Sequence, residues 1–150
     1  MTKILLRVWR MLRGRGQMRV LWIFHAKFMI GVCGIVQNEQ GQILLLKHRF
    51  WPPATPWGLS SGYAKAGETL ESTITREVKE ETQLDIKVNE LVTVNSGFQL
   101  RLEAIYKAEL LGGEITVDPK EIFEAHWFDV DSLPEGLLPN HRALIKAHVS

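Results

Sequence analysis

The stretch 69–82 constrains this chain more than any other. At about 100° per residue from Glu77, the apolar Leu70, Ile74 and Val78 fall at roughly 20°, 60° and 100°, a stripe that a core must cover. Glu81 falls at roughly 40° and Glu80 at roughly 300°, so three carboxylates stand along an arc of about 100° at the border of that stripe. Like charges at i and i+4, such as Glu77 and Glu81, oppose the helix, and partial burial strips each of its water. A divalent cation resolves the conflict. Mg2+ takes hard oxygen ligands from one or two carboxylates and keeps places for waters and phosphate oxygens. The alternative is a solvated acidic face, with Arg76 at i−4 of Glu80 offsetting part of the charge.

Around this helix the chain reads as strands. Residues 28–37 are apolar and β-branched, 38–41 form a turn, and 42–49 return as a second strand of a hairpin. Pro52, Pro53 and Pro56 make 50–58 irregular. Residues 59–68 read as a loop, 86–88 and 91–94 as short strands, and 99–110 as a longer one. A last strand covers 125–130, and a helical tail runs from Asp131 to near His148. Strands outnumber helices, one helix interrupts them, and 150 residues suffice for one core, which predicts an α+β sandwich. The longest uninterrupted apolar run, 28–36, has nine residues, far short of the roughly twenty that span a bilayer. The single cysteine, Cys33, excludes an internal disulfide and reads as a small buried hydrophobe.

The formal net charge of +1 hides an uneven distribution. Lys3, Arg7, Arg10, Arg13, Arg15, Arg19 and Lys27 precede the first acid, Glu39; the rest of the chain carries eleven basic residues against seventeen acids. Within 4–13, Ile4, Leu5, Val8, Trp9 and Leu12 share one helical face and the arginines the other, with Gly14 and Gly16 ending the helix. We therefore divide the chain into a basic amphipathic arm, 1–27, and a domain, 28–150. The arm's apolar face is expected to pack on the body or across a homodimer, with weak contact to a membrane surface as the alternative. The near-zero total argues against stable nucleic-acid binding.

Read from Gly62, the sequence resembles the Nudix box, G-x5-E-x7-R-E-U-x-E-E-x-G-U, with U a bulky aliphatic. Gly62, Glu68, Arg76, Glu77, Val78, Glu80, Glu81 and Leu84 match; Gln83 stands in place of a glycine. Leu59-Ser60-Ser61-Gly62 is similar to the family's lead-in with two substitutions, and 125–134 to its closing strand and turn. The resemblance covers about 120 residues from 28 onward and leaves out the arm. It implies an α/β/α sandwich with a mixed sheet. It also implies a cytoplasmic hydrolase that cleaves the pyrophosphate of a nucleoside diphosphate linked to another group, using Mg2+ or Mn2+.

Carried onto this chain, the resemblance makes Glu77, Glu80, Glu81 and the carbonyl of Gly62 the metal ligands. Glu68 and Arg76 become an ion pair that orients them. Glu121 is the candidate general base, with Glu124 as runner-up and Glu77 or Glu80 as substitutes. Lys47 and Arg49 are candidates for phosphate contact, and Phe50 and Trp51 for stacking on a base. Trp57 and Trp127 read as core. Lys65 stands where many members carry an acid that helps hold an extra metal. Gln83 is expected to alter the loop after the helix while leaving the chemistry intact. The substitutions at 61 and 83 keep a second reading open, a Nudix-fold binding or regulatory domain without turnover.

Overall fold

A computed structural model describes residues 2–149, with side chains described for 6–97 and 99–149. Its elements are α1 (Thr2–Met11), α2 (Arg15–Phe24), β1 (Met29–Gln37), β2 (Ile43–His48), β3 (Trp57–Gly58), β4 (Ser60–Tyr63), α3 (Leu70–Thr82), β5 (Asp85–Phe98), β6 (Arg101–Gly112), β7 (Ile122–Phe128) and α4 (Pro139–His148). β1 is buried from Gly31 to Val36 because both its edges and both its faces are covered. It pairs in parallel with β6 from Met29↔Arg101 to Gln37↔Glu109, and antiparallel with β4 from Gly31↔Tyr63 to Gly34↔Ser60. β5 closes the far edge against β6.

Alternation along β1 sends side chains to two cores. Val32 and Val36 meet Ile74 and Val78 of α3, while Cys33 and Ile35 meet Leu59, Leu137 and Ile145 of α4. This is the expected α/β/α sandwich with a mixed sheet. Gly34 lets α3 settle on it, since a Cβ there would stand 2.7 Å from Ile74 Cγ1. Burying Ile74 and Val78 stabilises by about 1.5–3 kcal/mol each. Repulsion between like charges at i and i+4 costs about 0.2–0.5 kcal/mol, so the stripe forms the helix in spite of its glutamates.

Several local expectations need correction. The hairpin of β1 and β2 is reduced to one pair, Gln37↔Ile43, because β4 occupies the rest of that edge; β2 pairs with β7 over six residues and with β3 over two. Part of the supposed loop 59–68 is therefore strand. The two short strands at 86–94 belong to one long β5, bent by four register shifts. The helical tail is split into a short turn at Val130–Ser132 and α4, with Pro134 between them. In the arm, Gly14 breaks the helix but Gly16 lies inside α2, a second helix the sequence reading missed. No residue of α2 is buried, so the body does not cover it. The predicted parts of Ile4 and Leu5 lie outside the described side chains.

Thr69 caps α3 by accepting a hydrogen bond from the Ser72 N–H at 3.1 Å. At the other end Gln83 adopts the left-handed conformation, φ 61° and ψ 10°, and donates its N–H to the Lys79 carbonyl at 3.0 Å. The loop geometry of a glycine cap is thus kept by a residue that has a Cβ, contrary to the expected change. Left-handed backbone costs a side-chain-bearing residue about 1 kcal/mol. Gln83→Gly is expected to raise stability by about that amount. Urea unfolding of the two proteins measures it, and an unchanged midpoint would show that the exposed bond from Gln83 Nε2 to the Lys79 carbonyl offsets the strain.

Candidate active site

The site is assembled from three consecutive pieces, β4, the loop 64–69 and α3. Arg76 joins them. Its Nε donates to Glu68 Oε1 at 2.7 Å, and its Nη2 to Glu68 Oε2 and the Tyr63 carbonyl, both at 3.1 Å. Its Nη1 donates to Glu77 Oε1 at 2.7 Å and Glu80 Oε2 at 3.0 Å. Glu68 also accepts from the Lys65 N–H at 2.9 Å and the Thr73 hydroxyl at 3.1 Å. Hydrogen bonds from the Arg76 guanidinium, helped by the Lys65 N–H, hold the Glu68 carboxyl down at about 2. The two residues the sequence pairs are therefore joined through both carboxylate oxygens.

Glu77 and Glu81 lie deeper. A Cβ at position 62 would fall 1.9 Å from Glu77 Cδ, so only glycine lets that backbone lie against the carboxylate. Burial raises the Glu77 carboxyl above its ordinary range, and Arg76 opposes that shift. Glu81 is 4% exposed and accepts a hydrogen bond from the Ser60 hydroxyl. Burial pushes its carboxyl up to about 8; the Ser60 bond opposes the shift and Glu77 adds to it. The Nδ1 of His48 stands 3.9 Å from Glu81 Oε1. His48 stacks on Trp51 at 3.7 Å between ring centroids, and Trp51 meets the edge of His141 at 5.7 Å. The Nδ1 of His141 accepts from the Leu59 N–H at 3.1 Å.

These groups open into a cleft of about 730 Å³. Of the residues singled out from sequence, Gly62, Lys65, Glu77, Glu81, Glu121, Phe50 and Trp51 line it, and Glu121 is exposed there. Glu80 is exposed on the helix beside it, 3.7 Å from Lys65 Nζ. Glu68 and Arg76 stand behind the lining. Lys47 and Arg49 are turned elsewhere: Lys47 Nζ is 2.6 Å from Glu124 Oε1, and the Arg49 guanidinium lies 4.0 Å over the Phe123 ring. Trp51 lines the cleft with one ring face already covered by His48. Trp57 and Trp127 pack against the two cores, as expected.

Among the lining residues that escaped the sequence reading are Tyr63, Arg101 and Glu103. Arg101 bonds the buried Glu103, and its guanidinium is 5.6 Å from the Tyr63 ring. The signal was available in the alternation of β6. Arg101 and Glu103 share a face with the buried Ile105, and charges on the core-facing side of a strand need a reason to be there.

The donor set suits a hard divalent cation, with carboxylate oxygens from α3 and the Gly62 backbone pressed against one of them. As the side chains stand, Arg76 draws Glu77 and Glu80 to itself while Ser60 holds Glu81. Among the described residues no three acidic, histidine or cysteine side chains converge on a point where a metal would sit. Arg76 engages one oxygen of Glu77 and one of Glu80, which leaves the second oxygen of each carboxylate for a cation.

The NUDIX domain family model matches residues 27–148. The NAD-capped RNA hydrolase NudC of Pectobacterium carotovorum is 38% identical over 107 residues, 71% of this chain and 41% of that protein. The chain thus spans less than half the length of that relative. A NUDIX hydrolase from Nitrosomonas europaea superposes with a TM-score of 0.74 at 22% identity, covering 83% of this chain and 72% of that one. A MutT NUDIX hydrolase from Burkholderia pseudomallei does so with a TM-score of 0.70 at 26% identity, covering 80% and 97%.

Burial holds the imidazoles of His48 and His141 down at about 4, against an ordinary value of 6.5. The unfolded chain takes up these protons as pH falls below about 6.5; the folded one resists until about 4. Stability from the neutral rings is complete above pH 6.5 and is lost through that window. Between pH 7.5 and 5 the wild type is expected to lose about 1–2 kcal/mol more than His48→Phe, which keeps the stack on Trp51 and cannot titrate. Parallel urea titrations at the two pH values decide it; equal losses would show that His48 does not set the acid limb.

Proposed function

Because the chain belongs to the Nudix hydrolase family, we propose that it hydrolyses the pyrophosphate bond of a nucleoside diphosphate linked to a second group. The observation that carries this reading is the joining of Glu68, Glu77, Glu80 and the β4 backbone by one guanidinium, at the mouth of a cleft that also contains Glu81. A set of carboxylates spaced on one helix and held from behind is suited to a hard cation and the phosphates bridging to it. Glu77, Glu80, Glu81 and the Gly62 carbonyl would hold Mg2+ or Mn2+. When bound, the cation supplies charge neutralisation at the bridging phosphates and an activated water.

The chain's own residues do the rest. Arg76 and Glu68 fix the helix against the loop, so the carboxylates stay with the cleft. Glu121, exposed in the cleft lining, would be the proton acceptor for the attacking water, a role Glu77 or Glu80 could also take through the oxygen that Arg76 leaves free. Lys65 and Arg101 are the cations that line the cleft and would meet the substrate phosphates, in place of Lys47 and Arg49. Phe50 and Tyr63, exposed in the cleft lining, together with Trp51, offer apolar surface for a base. The name of the 38% identical relative, an NAD-capped RNA hydrolase, supports a substrate in which two nucleosides share the pyrophosphate.

A panel of NAD, ADP-ribose, NDP-sugars, CDP-alcohols and oxidised dNTPs, incubated with Mg2+ or Mn2+ and with EDTA, tests the reading. At least one compound is expected to yield a nucleoside monophosphate, with no product under EDTA. Arg76→Lys should lower activity by about 10–100-fold. Glu81→Gln should lower it by at least about 100-fold while leaving the fold intact by circular dichroism. An uncut panel would favour the ligand-binding reading instead, and a fully active Glu81→Gln protein would overturn the role assigned to Glu81.

A further inference from the structure

The arm lies outside the site, and its surface is unlike the rest of the molecule. Among the described side chains, eleven of the eighteen exposed large apolar ones fall between Leu6 and Ile30. Met11 is 83% exposed, Trp22 68% and Phe24 81%. The same stretch carries Arg7, Arg10, Arg13, Arg15, Arg19 and Lys27 and no acid. α1 and α2 form a helix–turn–helix broken at Gly14, closed by a hydrogen bond from Gln17 Nε2 to the Trp9 carbonyl at 2.8 Å. Around α2, with Trp22 at zero, Met18, Leu21, Phe24, Val20 and Ile23 occupy an arc of about 260°, with Gln17 the one polar residue inside it. Arg15 and Arg19 fill the remaining wedge. A helix apolar around most of its circumference needs cover, and here the body supplies none.

We propose that the two helices lie on the surface of an anionic lipid bilayer, with their apolar side chains among the acyl chains and their arginines at the headgroups. Each helix has ten residues, a length of about 15 Å, so neither reaches across a bilayer. Among the described residues no helix is long and apolar enough to do so. The chemistry discriminates between occupants. A nucleic acid would use the cations and stack on Trp22 and Phe24, but it offers nothing to Met11, Leu21 and Ile23. A second arm would bring two acid-free, basic surfaces together. An anionic bilayer satisfies the cations and the aliphatic side chains at once. Lys27 Nζ, 4.2 Å from the centre of the Trp22 ring, places a cation and an amphipathic ring together as a headgroup boundary requires.

The surface also continues toward the cleft. The Met29 N–H donates to the Leu100 carbonyl at 2.8 Å, and Leu100 is exposed at the tip of the β5–β6 turn. The next residue, Arg101, lines the cleft with Tyr63. A bilayer that holds the arm therefore holds the cleft entrance near it.

Flotation of the full chain with large vesicles tests the proposal, comparing phosphatidylcholine alone with phosphatidylcholine–phosphatidylglycerol. Binding to the anionic vesicles is expected to be at least about tenfold stronger, and to weaken as salt shortens the screening length. Trp22→Glu with Phe24→Glu should lower it by about tenfold or more, and Arg15→Gln with Arg19→Gln should lower it and flatten the salt dependence. All four side chains are exposed, so circular dichroism and the thermal midpoint should not move. Absence of binding to anionic vesicles, or binding indifferent to both double substitutions, would overturn the proposal. So would loss, in the Trp22 and Phe24 variant, of a concentration-dependent dimer or of retention on single-stranded RNA by a chain that ignores vesicles.

Discussion

The guanidinium of Arg76 carries the electrostatics of the molecule's working end. Its five donors face two oxygens of Glu68, one each of Glu77 and Glu80, and the Tyr63 carbonyl. Without it, three carboxylates and a strand end would have to share one corner of the fold with only water between them. Arg76 itself depends on the apolar stripe beneath, since Ile74 and Val78 fix the rotation of α3 and so aim residues 76, 77, 80 and 81. Glu81 is the one carboxylate of the set that the guanidinium does not reach. It faces the core, and the Ser60 hydroxyl is its partner. Ser60, in the lead-in stretch that carries two substitutions, is thus the donor that makes a buried acid tolerable.

The parts of this arrangement that were legible in sequence are those whose partners are close along the chain. The stripe and the arc of glutamates lie within one helix, where spacing converts directly into geometry, and the Glu68–Arg76 pair came from the resemblance of that helix and its loop to the Nudix box. What was not legible depends on pairing across the chain. The reach of β2 could not be read because β4, itself hidden in a stretch with a loop's composition, takes the edge of β1 that a hairpin would use. Lys47 and Arg49 end a strand at the right distance in sequence, yet Glu124 and Phe123 of β7 draw them away. Arg101 and Glu103 enter the cleft because β6 lies parallel to β1, a relation no local pattern announces.

The uneven charge of the chain divides along the same line. The body's acids are in part bound to its own cations, through Arg76, Lys47, Lys79 and Lys87. The arm's cations have no acids within their own stretch to meet. A chain whose basic end is exposed and whose acidic body is folded around its own arginine presents two surfaces of different character, one acidic and one basic and apolar.

The parallel alignment of β1 with β6 also sets an order of events. Every one of its nine pairs joins residues 72 apart, from Met29↔Arg101 to Gln37↔Glu109. Closing so long a loop costs entropy that is returned only when the pairing is made, which slows folding relative to local hairpins and helices. Helix α3, with its full set of carboxylates, lies inside that loop and is synthesised before β6 exists. The acidic helix is therefore complete as sequence before the strand that brings Arg101 and Glu103 to the cleft has been made.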